Sequence, residues 1–158
     1  MERAEKSYTE AEKEEMAFYK NEAYKQLVQK LTPDDILPGA METLNNLKTK
    51  GIKVAIGSSS RNTPVILERI GLANFFDGVA DGNQITRSKP DPEVFLLAAK
   101  LIGLKPEECL VVEEADAGVE AALAGGMQVL GVGFACQNER ATLKAPSLKD
   151  IQLWKVME

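Results

Sequence analysis

Short apolar runs alternate with helix-length segments along most of this chain. Four runs predict strands, at residues 52–57, 78–81, 109–113 and 128–133. The segments between them predict helices at about 39–50, from Pro64 to Gly71, from Pro92 to Gly103 and at 117–125. Strands that alternate with helices in this way pair in parallel and are covered on both faces. The pattern predicts an α/β fold with a Rossmann-like sheet, whose ligands bind beyond the carboxyl ends of the strands.

The first thirty residues have a different pattern, highly charged and helical. Thr9 and Glu12 have the spacing of a capping box, and apolar residues then recur at helical intervals. We expect residues 1–31 to form an amphipathic helical hairpin that packs on another surface. Pro33 and Pro38 mark a linker to the second unit. At the other end of the chain, a short terminal helix is expected to dock through its leucine and tryptophan.

Composition limits the possible functions. Of the 158 residues 44% are hydrophobic and 27% charged, as in a globular domain with a substantial core. The net charge of −5, without a Lys/Arg cluster, predicts no nucleic-acid partner. Histidine is absent, which excludes Ser–His, Cys–His and histidine–zinc mechanisms. Cys109 and Cys136 are interpreted as reduced thiols, and no run predicts a membrane span or signal peptide, so we expect a cytoplasmic protein.

A serine-rich turn follows the predicted strand 52–57. The segment Ser58–Asn62 offers three hydroxyl groups and the free amides of a helix start, which together favour a phosphate. Arg61 could add two parallel hydrogen bonds to the same group. A turn that only caps the following helix explains the composition equally well.

Lys89 and a pair of carboxylates follow two other predicted strands. Lys89 precedes a proline, which favours an extended backbone there, and its charge suits a phosphate or a carboxylate cluster. Glu113 and Glu114 are hard oxygen donors of the kind that bind Mg²⁺. A solvated lysine and a solvated loop pair are the simpler interpretations. Gly118 is expected to allow its helix to pack closely on the sheet.

Three ordered stretches resemble the haloacid dehalogenase (HAD) superfamily, and within it the β-phosphoglucomutase branch. They are LPGAMETLNNLKTKGIKVAIGSSSRNT, SKPDPEVF and VVEEADAGVEAALAGGM. The resemblance extends over nearly the whole chain. It implies a HAD-type α/β core over residues 36–158 and the remnant of a helical cap domain over residues 1–35. It also implies a phosphotransferase or phosphatase that uses Mg²⁺ and acts on a sugar phosphate.

The resemblance also implies roles for individual residues. Ser58 and Lys89 are expected to be catalytic, because the matching groups bind and neutralise the transferring phosphoryl group. Glu113 and Glu114 match the pair that holds Mg²⁺. The phosphate-binding set is Ser58, Ser59, Ser60, Arg61, Asn62 and Lys89, and the cap contributes Lys20 and Asn21 toward the sugar phosphate.

The sequence departs from the family pattern in two ways. Glu114 stands where the family usually has aspartate, and the extra methylene is expected to weaken Mg²⁺ binding. The family's nucleophile lies in a D-x-D-G-T strand and loop ahead of the cap, and the sequence contains no such stretch. Without that carboxylate an aspartyl-phosphate cannot form, so we expect this chain to be inactive or nearly so by itself.

With the motif, the first core strand of the sheet would be missing. Strands 52–57 and 109–113 would then either pair directly or recruit a strand from a homodimer partner or a complementing chain. We favour recruitment, because direct pairing would crowd the helices on both faces. Three hypotheses stay open. The chain is the phosphate- and metal-binding half of a phosphotransferase, inactive or nearly so alone; or a non-catalytic protein that binds phosphate or a partner; or one half of a split enzyme.

Overall fold

Strands and helices alternate from α2 onward, as predicted. The computed structural model describes residues 7–157. Their helices are α1 (Glu10–Val28), α2 (Ala40–Thr49), α3 (Thr63–Arg69), α4 (Glu93–Leu101), α5 (Asp116–Ala124) and α6 (Leu153–Val156). Their strands are β1 (Ala55–Gly57), β2 (Gly78–Ala80), β3 (Leu110–Glu113), β4 (Gln128–Gly131) and β5 (Leu143–Lys144). The predictions for β1 and β4 were too long, and β5, with two residues, was not predicted.

The strands form two separate parallel sheets. β1 pairs with β2, and β3, β4 and β5 form the second sheet in that order. Within residues 7–157 no pairing joins β1 to β3. The sheet is therefore interrupted between the two strands that were expected to lack a neighbour, and these strands do not pair directly.

Apolar clusters cover both faces of the sheets. In β4, Val129 packs in the cluster that contains α4 and α5 residues, whereas Leu130 packs with residues of α2 and α6. Successive residues of a strand point to opposite faces, so these clusters lie on opposite sides. Helix α4 contacts β1, β2 and also α5, which itself packs on β3 and β4. One helical layer thus continues across the interruption.

The hairpin predicted over residues 1–31 is absent from residues 7–31, which contain one helix, and the first six residues lie outside the described part of the chain. The predicted capping box is present: the Thr9 side chain accepts from the Glu12 amide, and the Glu12 carboxylate accepts from the Thr9 amide. Helix α1 then continues unbroken to Val28, which is its one buried residue. Four large apolar side chains on α1 are mostly exposed: Met16, Phe18, Tyr19 and Leu27. The helix contacts α3 near its carboxyl end, so most of its surface has no neighbour among the described residues.

The carboxyl-terminal segment docks as predicted. Leu153 is buried in the α2 cluster, and Trp154 packs against it. Cys109 and Cys136 are free thiols. Among the described residues, no helix combines the length and apolar character required for crossing a membrane.

Candidate functional site

Three segments that are distant in sequence meet at the carboxyl edge of the strands. Ser58 follows β1, Glu113 ends β3, and Lys89 lies in the loop before α4. The Lys89 amide donates to Ser59 Oγ over 3.4 Å, and Lys89 Nζ donates to Glu113 Oε2 over 2.7 Å. Lys89 therefore connects the serine turn of the first sheet with the carboxylate of the second.

Glu113 is buried, and both of its carboxylate oxygens accept hydrogen bonds. Its side chain is 5% exposed, and Oε1 accepts from the amides of Glu114 (3.1 Å) and Ala115 (3.2 Å) while Oε2 accepts from Lys89. Gly118 makes this position available, because a β-carbon there would lie 2.0 Å from the Glu113 carboxyl group. The close approach predicted for Gly118 is thus an approach to this carboxylate, which sequence patterns could not reveal.

Lys89 is held from a second side by an aromatic ring. Its Nζ lies 4.4 Å from the centroid of the Phe95 ring, which favours a cation at that position. The same ring packs on Gly57, where a β-carbon would lie 2.6 Å from Phe95 Cδ1. Phe95 was not among the candidates from the sequence. Its position in the first turn of the helix that follows Lys89 was a signal that its ring lies near the Lys89 side chain.

The serine turn differs from the expected row of free amides. The Ser58 amide donates to the Ala80 carbonyl, the Ser60 amide to Ser58 Oγ and the Asn62 amide to Ser60 Oγ. Two serine hydroxyls thus bind amides of their own turn. Within the described residues, only the amides of Ser59 and Arg61 in this turn have no hydrogen-bond partner. The turn therefore offers an anion fewer free amide donors than the sequence predicted.

A second turn, which the sequence did not single out, supports the serine turn. The Gly82 amide donates to the Ser60 carbonyl (3.1 Å), and Asn83 Nδ2 donates to the Arg61 carbonyl (3.0 Å). Asp81 is buried and accepts from the Asn83 amide. A β-carbon at Gly82 would lie 2.4 Å from the Ser59 carbonyl oxygen, so the two turns are in close contact.

The cap residues are not brought to this site. Lys20 and Asn21 are exposed on α1, and among the described residues neither side chain has a hydrogen bond or ion pair with the site. The carboxyl end of α1 does approach the serine turn. A shallow cavity of about 300 Å³ lies there, lined by α1 residues together with Asn62 and Val65.

Glu114 lies beside Glu113 at the mouth of the site. Partial withdrawal from water, and then the charge of Glu113, raise the pKa of the Glu114 carboxyl group. Carboxylate oxygens are ligands that Mg²⁺ prefers, so these two side chains are chemically suited to the ion. Residues 7–157 contain no group of three or more His, Cys, Asp or Glu side chains that could hold a metal ion. Two carboxylates are fewer than the oxygen ligands that Mg²⁺ takes, so an ion held by this pair would need further donors.

A groove opens onto the site from between the sheets. It has a volume of about 810 Å³ and is lined by β1, β3, α2 and α4. Ser58, Lys89, Glu113 and Glu114 line its end at the carboxyl edge. The site is thus the mouth of the interruption between β1 and β3.

Comparison with known proteins gives a consistent family. Residues 1–126 match the haloacid dehalogenase-like hydrolases. The β-phosphoglucomutase of Bacillus subtilis (strain 168) is 43% identical over 130 residues, 82% of this chain and 58% of that protein. The phosphorylated carbohydrates phosphatase of Thermotoga maritima is 35% identical over 111 residues, 68% of this chain and 51% of that protein.

A solved structure shows the same fold. The crystal structure of β-phosphoglucomutase from Clostridium difficile matches with a TM-score of 0.83 at 33% identity, over 95% of this chain and 68% of that one. The chain spans between half and three fifths of the length of the two curated relatives described above.

Proposed function

Because this chain belongs to the family of haloacid dehalogenase-like hydrolases, we propose that it carries the phosphate-binding half of a phosphoryl-transfer site. The substrate class that we propose is a sugar phosphate, as the names of its relatives suggest for those proteins. The observation that carries the proposal is the position of Lys89, which joins the serine turn to the carboxylate pair.

Each group has a defined task in this proposal. The Ser58 hydroxyl, with the amides of Ser59 and Arg61, binds oxygens of the transferring phosphoryl group. Lys89 supplies the positive charge that offsets the charge developing on those oxygens. The neighbouring Arg61 and Asn62 side chains bind a second phosphate of the substrate, and Lys20 and Asn21 of α1 would need to move toward it.

Glu113 and Glu114 would hold Mg²⁺ with water and phosphate oxygens. The ion would supply further positive charge at the transferring group. Glu113 Oε2 accepts one hydrogen bond, from Lys89, so an ion bound to this oxygen would lie close to the positive charge of Lys89. We therefore expect weak binding of Mg²⁺ without phosphate.

We further propose that the chain binds phosphate without turnover when it is alone. A carboxylate nucleophile must be free to attack phosphorus. Glu113 is held by Lys89 and two amides, and the proposal assigns Glu114 to the metal ion and not to phosphorus. With no other carboxylate lining the mouth among the described residues, a carboxylate from outside them would have to complete the enzyme. The competing candidate is a protein that only binds phosphate, and the engaged state of Glu113 favours it.

Calorimetry with inorganic phosphate tests the site. Lys89→Met removes a charge-assisted hydrogen bond, and we expect affinity to fall roughly 10- to 100-fold. The double variant Lys89→Met/Glu113→Gln removes both buried charges, so its loss of affinity cannot be attributed to an unpaired carboxylate. Lys100→Met, on the exposed face of α4, is the matched control. Equal affinity in the wild type and the double variant would refute the site.

An activity assay of the chain alone tests the proposed lack of turnover, which both candidate functions share. We expect no turnover of β-glucose 1-phosphate with a bisphosphate primer and Mg²⁺. Turnover by the chain alone would contradict the proposed lack of a nucleophile.

A further inference from the structure

Two buried polar side chains flank the serine turn. Within residues 7–157, the buried polar or charged residues are Thr43, Thr63, Asp81 and Glu113. Thr63, the first residue of α3, is 4% exposed, and Asp81, which follows β2, is 6% exposed. Burying a polar group costs free energy unless the group is hydrogen-bonded. The partners of these two side chains therefore show what their burial stabilises.

The Thr63 hydroxyl binds the backbone of the serine turn. Thr63 Oγ1 donates to the Ser60 carbonyl over 2.8 Å, and the Gly82 amide donates to the same carbonyl over 3.1 Å. A carbonyl oxygen has two lone pairs, so these two donors can occupy both. Because one donor belongs to α3 and the other to the turn after β2, the carbonyl is held in one direction.

The direction of this carbonyl fixes the direction of the Arg61 amide. The two groups belong to one peptide unit, which is planar and trans, so its N–H points opposite to its C=O. The Arg61 N–H therefore points away from Thr63 Oγ1 and Gly82. Among the described residues this N–H has no hydrogen-bond partner. Hydrogen bonds to the carbonyl also polarise the peptide unit, which makes its N–H a stronger donor.

The next peptide unit is held from the same turn. Asn83 Nδ2 donates to the Arg61 carbonyl over 3.0 Å, and Asp81 Oδ1 accepts from the amide and from Nδ2 of Asn83. The buried Asp81 carboxylate thus orients the Asn83 side chain. The N–H of this second unit, from Asn62, already donates to Ser60 Oγ. Of the two units, the first therefore presents the free N–H, which is that of Arg61.

We propose that Thr63 is a positioning residue of the phosphate site. Its hydroxyl, together with the Gly82 amide, holds the peptide unit between Ser60 and Arg61 so that the Arg61 N–H is presented to an anion in a fixed direction. The inference rests on the proposed function, in which this amide binds a phosphoryl oxygen. Thr63 acts through the peptide unit and does not itself touch the anion. A donor that is already oriented lowers the entropic cost of binding.

Three variants separate the hydroxyl group of Thr63 from its packing. Thr63→Val keeps the branched shape and removes the hydroxyl, whereas Thr63→Ser keeps the hydroxyl and removes the methyl group. Thr49→Val is the matched control, because Thr49 Oγ1 also donates to a backbone carbonyl, that of Asn45, over 2.9 Å near the end of α2. Thermal unfolding of each variant checks that it is folded.

Calorimetry with inorganic phosphate measures the effect on binding. We expect Thr63→Val to lower the affinity roughly three- to tenfold, which is the effect of one neutral hydrogen bond. Thr63→Ser and Thr49→Val should bind phosphate like the wild type. A role in packing alone predicts the opposite order, because Thr63→Ser loses a buried methyl group and Thr63→Val does not.

A second measurement needs no phosphate. The ¹⁵N relaxation order parameter of the Arg61 amide, in the full chain without ligand, reports how firmly the peptide unit is held. We expect about 0.85 in the wild type and in Thr63→Ser, as in rigid backbone, and a fall toward about 0.6 in Thr63→Val. The Ile66 amide, which donates to the Asn62 carbonyl in α3, should not change and is the internal control.

Three outcomes would overturn the proposal. They are equal Arg61 order parameters in the wild type and Thr63→Val, equal phosphate affinities in these two proteins, and an equal loss of affinity in Thr63→Ser or Thr49→Val. If the wild type binds no phosphate, the proposed function fails, and the order parameters alone decide whether Thr63 holds the amide.

Discussion

Gly118 and Glu113 are in direct contact, with no room for a β-carbon between the helix and the carboxylate. We expect Gly118→Ala to displace the Glu113 side chain and to cost roughly 1–2 kcal/mol, because overpacking outweighs the better helix propensity of alanine. Urea unfolding measures this loss. In a Glu113→Ala background the same substitution should instead stabilise by up to about 1 kcal/mol. The same loss in both backgrounds would mean that the carboxylate is not the obstacle.

The Lys89–Glu113 ion pair should behave as a buried pair, since the two side chains are 19% and 5% exposed. Lys89→Met leaves a buried carboxylate without its cation, and we expect a loss of roughly 3–5 kcal/mol in the free energy of unfolding. Adding Glu113→Gln should recover most of that loss. A double variant as unstable as Lys89→Met would show that the methionine itself is not accommodated.

Glu114 should make stability depend on pH. Because its pKa is raised in the folded protein, its contribution is fully present below the unfolded pKa of about 4.3 and is lost as pH rises through the folded pKa. Glu114→Gln should therefore gain stability relative to the wild type as pH rises above about 4.3. Urea unfolding in EDTA, from acid to neutral pH, measures the difference, and a flat difference would contradict the raised pKa.

Glu93 serves as a control, because its effect on stability should change with pH in the opposite direction. Its carboxylate accepts from the amide of Thr86, which lowers its pKa, and also from that of Arg87. Its contribution is present above the unfolded pKa and is lost as pH falls through the folded pKa. Glu93→Gln should therefore lose stability relative to the wild type as pH rises. Parallel trends in the two variants would indicate a general effect of removing negative charge.

The sequence predicted four of the strands, their parallel pairing, the helix boundaries near Pro64 and Pro92, and the candidate groups that meet at one edge. These features depend on local pattern and on the rule that parallel strands end together. The sequence could not show that the Ser60 and Asn62 amides are hydrogen-bonded, because this depends on the rotamers of two serine side chains. It could not show the role of Gly118 either, because this depends on the conformation of the Glu113 side chain. The wrong hairpin had another cause: exposed apolar residues on α1 satisfy the same periodicity as buried ones.

The ion pair between Lys89 and Glu113 spans the interruption in the sheet, because one residue precedes α4 and the other ends β3. The distance between the two sheets therefore also sets the distance between the serine turn and the carboxylate pair. Spreading the sheets would stretch the phosphate site, and a rigid insert between them would fix its width. The distance between the two sheets therefore links assembly of the sheet to the affinity of the site for an anion.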